Sequence, residues 1–423
     1  MSRAWHRTRP HERWRRTSFR FLPSLVMSVL DTAGAWHRTC LGAWHSDMSR
    51  SGCLLAREDV PFFGMAVESD KQSAVDDFST VELALATRNH GFPLESLRYD
   101  LTPIGLHYLL IHFDIPFVDA ATWRLEIGGE VDRPLSLSLD EIKRRPRASL
   151  ACTLECAGNG RARLTPRPLS QPWLEEAIGN AEWTGTPLAP LLEEAGIKDN
   201  AVEILFTGLD RGVQADVEHA YERSLPVDEA FRPEMLLAYE INGLPLPPQH
   251  GYPLRLIVPG WYGMTHVKWL ERISAITEPF EGYQQAKQYR TKRDEDDPGE
   301  PVTRINPRSL LIPPGIPDFP DRRRFLEPGV CKLEGRAWSG WAPISRVEVS
   351  VDGGDTWHDA ELGEPAGDFG WRGWSFDWDA TLGEHELCSR ATDGAGNTQP
   401  DEAEWDTGGY VNNTVQRVLV TVQ

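Results

Sequence analysis

Cys156 is the residue of this sequence whose neighbours best suit a reactive or metal-binding side chain. It ends an apolar, strand-like run (150–155) and precedes a turn (157–160), after which Arg161 begins a group of arginines. The two glycines of the turn permit positive φ and close approach of another group. A thiol at a strand end is held rigidly, and nearby guanidinium charge favours the thiolate, which binds metals and attacks electrophiles. The pattern therefore predicts a metal-binding or nucleophilic thiol, with a buried structural cysteine as the alternative.

The full string from Cys156 to Arg161 resembles the molybdenum-ligand segment of the sulfite oxidase family, whose motif reads Cys-Ala-Gly-Asn-x-Arg. The resemblance implies that Cys156 is a ligand of a molybdenum–molybdopterin cofactor, a role that suits a soft thiolate. It also implies that Arg161 lies close enough to polarise an oxo group or to hold an oxyanion substrate. Trp173, a little further along the chain, is expected to form a wall of the same pocket.

A second group of residues has the composition of an anion site. The string His-Gly-Tyr-Pro-Leu-Arg runs from His250 to Arg255, and a glycine-punctuated loop then leads to His266, Val267 and Lys268. Backbone N–H groups and charge-assisted donors together bind phosphate. A single lysine on an amphipathic strand is more often a solvated side chain. In the family resemblance, the two strings together hold the terminal phosphate of molybdopterin.

The same resemblance identifies three further positions. The segment 108–112 falls where the family has Arg-Asn-His against the pterin; here His112 matches and Leu110 replaces the arginine. His112 alone would be read as a core histidine. Asp210 is expected near the cofactor, although loop carboxylates more often form turns. Tyr289 matches a tyrosine that faces the metal, with a surface tyrosine as the alternative. The predicted cofactor-binding residues are Tyr108, Leu109, Leu110, Ile111, His112, Asp210, His250, Arg255, His266, Val267 and Lys268, and the predicted catalytic residues are Cys156 (also the metal ligand), Arg161, Tyr289 and Trp173.

The elements that must position these residues indicate two domains of different kinds. Before residue 290, strands such as 108–113 and 123–127 mix with helical segments such as 173–178, which predicts an α+β domain. Residues 291–300 include no apolar side chain and are predicted to be a linker. Beyond them, period-2 strands separated by turns predict an immunoglobulin-like β-sandwich. The resemblance implies a mixed α/β molybdopterin domain over 65–290 and a dimerisation domain over 301–423, and hence a homodimer.

The N-terminal segment, 1–64, differs in composition from the rest of the chain. It has ten arginines, no lysine and five acidic residues, and it lacks hydrophobic periodicity. We therefore expect it to be disordered, or an extension upstream of a true start at Met65. Arg15 and Arg16 precede an apolar run in the manner of a twin-arginine export signal, but Pro23 interrupts the run. The predicted location is cytoplasmic, with export as the alternative.

Composition and cysteine usage argue against several other classes of protein. The formal net charge of −19 disfavours nucleic acid as a partner, because phosphate binding needs a basic face. No apolar run approaches the length of a membrane span, so no membrane is expected. The six cysteines show no paired-ligand spacing, and no Cys-x-x-Cys-His motif for a covalently attached haem is present. Scattered cysteines fit a reducing compartment.

The resemblance, which extends over about 100–423, implies a molybdopterin-dependent oxidoreductase that transfers an oxygen atom on a small sulfur-containing substrate. Because no haem motif is visible, we expect a separate electron-acceptor protein. Leu110, and the stretch 341–343 where the family has a second arginine, imply a substrate that differs from sulfite in size or charge. One alternative is a reductase of S-oxides or N-oxides, which runs the transfer backwards. The other is a dimeric sandwich protein with a decayed cofactor domain.

Overall fold

The computed structural model describes residues 79–294 and 296–423. The predicted extension 1–64, its apolar run and the expected start at Met65 lie outside these residues. The described residues fall within one compact unit. None of their helices is long and apolar enough to cross a membrane.

The first half of the described chain consists of two sheets with short helices around them. Its helices are α1 (Thr80–Ala86), α2 (Leu139–Lys143), α3 (Ala189–Ala195), α4 (Val227–Ala230) and α5 (Tyr283–Ala286). Its strands are β1 (Arg124–Gly129), β2 (Leu135–Ser138), β3 (Ala148–Glu155), β4 (Ile178–Pro187), β5 (Glu203–Gln214), β6 (Val217–Pro226), β7 (Leu236–Ile241), β8 (Leu244–Pro245), β9 (Arg255–Ile257) and β10 (Leu270–Ile276). One sheet has the order β2-β1-β10-β5-β6, and the other has the order β3-β4-β7-β8 with β9 paired to β7.

Local sequence signals set the helix ends and strand faces in this half of the chain. The Ser138 hydroxyl accepts from the Glu141 N–H while the Glu141 carboxylate accepts from the Ser138 N–H, a capping box that starts α2. Gly196, with φ of +69°, ends α3 as expected for a glycine C-cap. Alternate side chains of β1, Leu125 and Ile127, are buried in the core between this sheet and α2 and α3.

The second half is a β-sandwich, as predicted. A two-stranded pair, β11 (Arg290–Thr291) and β12 (Glu300–Pro301), encloses the predicted linker. The sandwich strands are β13 (Arg308–Leu311), β14 (Ile316–Pro317), β15 (Arg324–Leu326), β16 (Gly329–Trp338), β17 (Ile344–Ser350), β18 (His358–Asp359), β19 (Glu361–Pro365), β20 (Arg372–Ala380), β21 (Gly383–Asp393) and β22 (Gln416–Val422). They form two sheets, ordered β13-β16-β20-β19 and β14-β15-β22-β21-β17-β18.

The structure corrects two of the predicted elements. Residues 108–113 form no strand; only Leu109 pairs, in an isolated bridge with His90. Residues 173–177 are extended rather than helical, and their burial alternates with a period of two, so that Trp173 and Ala177 point inward. The helix prediction rested on helix-forming residue types, and contacts with the rest of the domain override that local preference. Neither segment is therefore the regular element that the sequence indicated.

A buried carboxylate at the end of β3 connects the two halves. Glu155 accepts from Arg308 Nη1 at 2.9 Å and from the Trp338 indole N–H at 2.8 Å, and both donors belong to the sandwich. Asn159, in the turn beyond Cys156, donates to the same carboxylate at 3.0 Å. The side chains of Glu155 and Arg308 are only 2% and 3% exposed, so neither charge can be solvated if the other is removed.

We therefore expect Glu155→Gln to destabilise the protein strongly. Loss of one member of a buried ion pair typically costs about 3–5 kcal/mol, because the remaining charge, here that of Arg308, is left unpaired. Thermal unfolding would show a melting temperature several degrees lower. The double variant Glu155→Gln/Arg308→Met should recover part of the loss. Arg124→Ala, which removes the exposed pair with Glu141, serves as the control and should barely change the melting temperature. Equal effects of Glu155→Gln and Arg124→Ala would contradict this account.

Candidate functional site

Cys156 lies at the point where β3 gives way to the 157–160 turn. Its thiol is buried, 6% exposed, and packs with Trp173 and Ala177. Its backbone N–H donates to the Ala177 carbonyl at 2.9 Å, and its carbonyl accepts from Asn159 at the same distance. The neighbouring backbone thus fixes the thiol on both sides, as the sequence predicted for a cysteine at a strand end.

The protonation of the thiol differs from the sequence expectation. We expected guanidinium charge to lower its pKa. Burial instead raises the pKa of Cys156 above its ordinary value, and the opposing charge of Arg161 only partly offsets this effect. The thiol is therefore protonated in the absence of a metal, and binding a metal ion would release its proton.

Both glycines of the turn lie in close contact with other groups. A Cβ on Gly158 would lie 2.5 Å from a guanidinium nitrogen of Arg161. Gly160 adopts φ of +86°, and a Cβ there would lie 2.9 Å from the Asn412 carbonyl oxygen. The turn predicted from the two glycines is thus confirmed, and it brings Arg161 back over the turn.

A loop of the sandwich covers this turn. Val411 N–H donates to the Ala157 carbonyl at 2.8 Å, and the Asn412 side chain donates to the Gly160 carbonyl at 2.8 Å. Arg161 Nε donates to the Gly408 carbonyl at 2.6 Å. The second domain therefore completes the surroundings of Cys156 in addition to packing against the first domain.

Cys156 forms part of the wall of two adjoining cavities. The inner cavity has an empty volume of about 630 Å³, and the outer cavity one of about 1030 Å³. Leu110, His112, Cys156 and Tyr289 line both. Of the other predicted residues, the inner cavity is lined by Tyr108, Leu109, Asp210, His250, Arg255, His266 and Lys268, and the outer cavity by Ile111, Arg161 and Trp173.

The inner cavity is lined by two cations, the buried Arg255 and the half-buried Lys268. Arg255 donates to the backbone carbonyls of His250 (3.1 Å) and His266 (3.4 Å), and its Nε has no hydrogen-bond partner in the described structure. Lys268 Nζ donates to the Leu110 carbonyl at 2.8 Å. Within residues 79–294 and 296–423, neither side chain forms an ion pair. Cations with spare donors form a site for an anion.

Burial shifts the pKa values of the charged groups in this cavity. Burial and the charge of Arg255 lower the pKa of Lys268 to about 7. Burial also lowers the pKa of Arg255, to about 10. Asp210 lies nearby with its Oδ1 unpartnered in the described structure, and burial raises its pKa despite the Lys268 charge. A bound anion would restore the full positive charge on Lys268.

His266 and Val267 are held by contacts within the protein. His266 accepts from Val258 N–H at 3.1 Å through Nδ1, so its Nε2 carries the proton and donates to the Trp261 carbonyl at 3.1 Å. With both nitrogens used, its ring has no free donor for a ligand. Val267 is fully buried in the core and lines neither cavity.

Tyr289 faces the site and is not a surface residue. It is 7% exposed, and its hydroxyl lies 2.7 Å from His112 Nε2. Burial raises its pKa, so the phenol is neutral at ordinary pH. Its φ of +49° is unusual for a non-glycine residue and turns the ring toward the cavities. A neutral phenol beside the thiol suits a hydrogen-bond donor to a ligand that enters from the outer cavity.

The sequence analysis missed several residues that line the cavities. His107, adjacent to Tyr108, lines the inner cavity, and its Nε2 has no hydrogen-bond partner among the described residues. Tyr221 lines the same cavity. Arg88 lines the outer cavity. A signal for Arg88 was present, because Arg88-Asn89-His90 reads Arg-Asn-His, the tripeptide that segment 110–112 lacks.

The comparisons with known proteins agree with this arrangement. Residues 112–284 match the family model of an oxidoreductase molybdopterin binding domain, and residues 320–423 match that of a Mo-co oxidoreductase dimerisation domain. Mitochondrial sulfite oxidase of Mus musculus is 35% identical over 346 residues, which cover 76% of this chain and 62% of the relative. The chain thus spans less than two thirds of that relative's length.

Two further relatives differ in the chemistry that their names state. NADH nitrate reductase of Solanum lycopersicum is 30% identical over 381 residues, which cover 82% of this chain and 41% of the relative. The crystal structure of the sulfane dehydrogenase SoxCD from Paracoccus pantotrophus superposes with a TM-score of 0.69 at 28% identity, covering 84% of this chain and 89% of that one. The comparisons agree on the type of domain and leave the substrate open.

The anion site makes a prediction for the cofactor-free protein. Sulfate should raise the melting temperature more at pH 6 than at pH 8, relative to chloride at equal ionic strength. Lys268 is protonated below its pKa of about 7 and loses its charge as the pH rises through that value. Sulfate keeps its own charge over this range. In Lys268→Met the difference between the two pH values should disappear, and an undiminished difference would contradict the assignment.

Proposed function

We propose, since the chain belongs to the sulfite oxidase family, that it is a molybdopterin-dependent oxidoreductase that adds an oxygen atom to a small sulfur-containing substrate. The observation that carries the proposal is the junction of the two cavities at Cys156, with unpaired cations in one and an open approach in the other. A ligand held in the inner cavity would present its reacting end to a substrate in the outer cavity.

The residues of the inner cavity fit molybdenum–molybdopterin. Arg255 and Lys268 would hold its phosphate, which supplies the anion that these cations lack. Cys156 supplies a soft thiolate for the metal. When bound, the cofactor supplies the oxygen transfer and the two-electron redox change. The fit rests on the spare donors of this chain and on the chemistry of the thiol.

The chain's own residues would orient the substrate and control protons. Trp173 and Leu110 narrow the space around Cys156 and exclude water from it. Tyr289 donates its hydroxyl proton toward the outer cavity or toward His112, whose pKa burial lowers to about 3. The His112 ring is therefore neutral. Arg161, whose Nε and Nη1 donate to the Gly408 and Gln171 carbonyls, holds these loops together beside the same space.

The overall reaction balances with water and a one-electron acceptor. The substrate sulfur gains an oxygen derived from water, and two protons and two electrons are released. The protons pass to solvent, and the electrons pass one at a time to a separate electron-acceptor protein. The dimerisation domain indicates a homodimer. The electron-acceptor protein and a cytoplasmic location are also proposed, and both rest on the sequence alone.

The proposal predicts that Cys156→Ser abolishes oxygen transfer in a protein that still folds. A serine hydroxyl is a harder and less acidic ligand than a thiol and does not replace it on molybdenum. Activity would be measured with purified, molybdenum-loaded protein, using sulfite as substrate and ferricyanide as acceptor. Cys152→Ala, four residues earlier on β3 and outside both cavities, is the matched control and should retain activity. Full activity of Cys156→Ser would contradict the assignment of Cys156 as the metal ligand.

A second prediction concerns how the charge at position 110 affects the KM for sulfite. The stretch 341–343 lines neither cavity, and Trp341 is 52% exposed, so Leu110 is the one of the two expected arginine replacements that faces the site. Leu110→Arg should lower the KM for sulfite by about one to two decades. One charge-assisted hydrogen bond contributes about 1.5–3 kcal/mol, and about 1.4 kcal/mol corresponds to one decade.

Leu110→Gln tests length and polarity without charge and should leave the KM for sulfite nearly unchanged. Steady-state oxidation with ferricyanide would measure both variants against the wild type. A wild-type KM in the low micromolar range, or equal effects of arginine and glutamine, would show that sulfite binding does not depend on charge at this position.

A further inference from the structure

The tripeptide Arg88-Asn89-His90 is fixed against the segment that carries Leu110. The backbone of His90 pairs with Leu109, with hydrogen bonds of 3.1 and 2.8 Å. The Asn89 side chain accepts from Ile111 N–H at 2.7 Å and is 4% exposed. Arg88 therefore lies beside the Leu110–His112 stretch and follows directly after α1.

Arg88 is a solvent-exposed residue on the wall of the outer cavity. It shares the wall of that cavity with Cys156, and its side chain makes no hydrogen bond or ion pair with any residue that the structure describes. Arg161 differs, because its Nε and Nη1 already donate to the Gly408 and Gln171 carbonyls. In the family motif, the arginine of Arg-Asn-His belongs to the segment that is 110–112 here. In this chain, the arginine of this cavity whose side chain has no partner among the described residues is Arg88.

One part of the wall of the outer cavity is apolar, and other parts carry glutamine, serine and arginine side chains. Val81, Leu169 and Val213 are 57%, 67% and 66% exposed and line it together with Leu85. Exposed apolar side chains gathered in one concavity favour an apolar ligand surface.

We propose that Arg88 binds the anionic group of the substrate, and that this substrate is an organic sulfur compound with an apolar body and one negative charge. The inference rests on the proposed function, because it names the substrate class of the same site. The sulfur would approach Cys156 while the carboxylate or sulfonate pairs with Arg88. The reaction converts a thioether and water into a sulfoxide, two protons and two electrons, and two equivalents of ferricyanide accept the electrons.

The test uses two probes of nearly equal size, 3-(methylthio)propanoate and its uncharged amide, with the molybdenum-loaded full chain. Arg88→Gln should raise the KM for the carboxylate by about ten- to a hundredfold, the range expected for one charge-assisted hydrogen bond, and leave the KM for the amide unchanged. Arg88→Lys should recover part of the loss. Arg124→Gln, an exposed arginine on β1 outside both cavities, is the control.

Calorimetry provides a readout without turnover. The sulfoxide product, 3-(methylsulfinyl)propanoate, should bind the oxidised protein, and Arg88→Gln should raise the Kd of this product by a similar factor. Unchanged binding and an unchanged KM for the carboxylate would overturn the proposal, as would equal losses for both probes. A higher kcat/KM for sulfite than for the carboxylate would overturn the substrate class. If neither probe nor sulfite is oxidised, the proposed function fails, and the calorimetric result still decides whether Arg88 binds anions.

Discussion

The site depends on the buried carboxylate of Glu155. It lies directly before Cys156 and takes hydrogen bonds from Arg308 and Trp338 of the sandwich and from Asn159 of the cysteine turn. A buried charge needs such partners, because burial without them costs several kcal/mol. The two domains must therefore dock for the turn to adopt its shape. The covering loop around Gly408 and Asn412 is a second consequence of the same docking.

Arg255, in the inner cavity, is held differently from the ion-paired Glu155. Arg255 stacks on Trp183 at 4.6 Å and donates only to carbonyls, so the fold holds its charge without a neutralising partner. Such an arrangement weakens the folded state until an anion binds, and the anion then recovers that free energy. Binding of the cofactor and stability of this domain are thereby coupled. Burial lowers the pKa values of Lys268 and Arg255, as expected for cations held without an ion-pair partner.

The sequence predicted the local features well and the long-range ones poorly. The cysteine turn was predictable because its glycines, at 158 and 160, carry steric requirements that are visible in the residue types. Three features needed the three-dimensional structure: the extended form of 173–177, the raised pKa of Cys156, and the position of Arg88. Each depends on what packs against the residue, through burial or through strand pairing with a distant segment, and no local pattern records that.

The central claim is that Cys156 binds molybdenum beside an anion-holding cavity. Molybdenum K-edge X-ray absorption on the loaded protein tests it most directly, because it counts the sulfur ligands of the metal without requiring a substrate. The account predicts that Cys156→Ser retains molybdenum but loses one sulfur neighbour relative to the wild type, whereas Cys152→Ala keeps the full set. An unchanged sulfur count in Cys156→Ser would contradict the account.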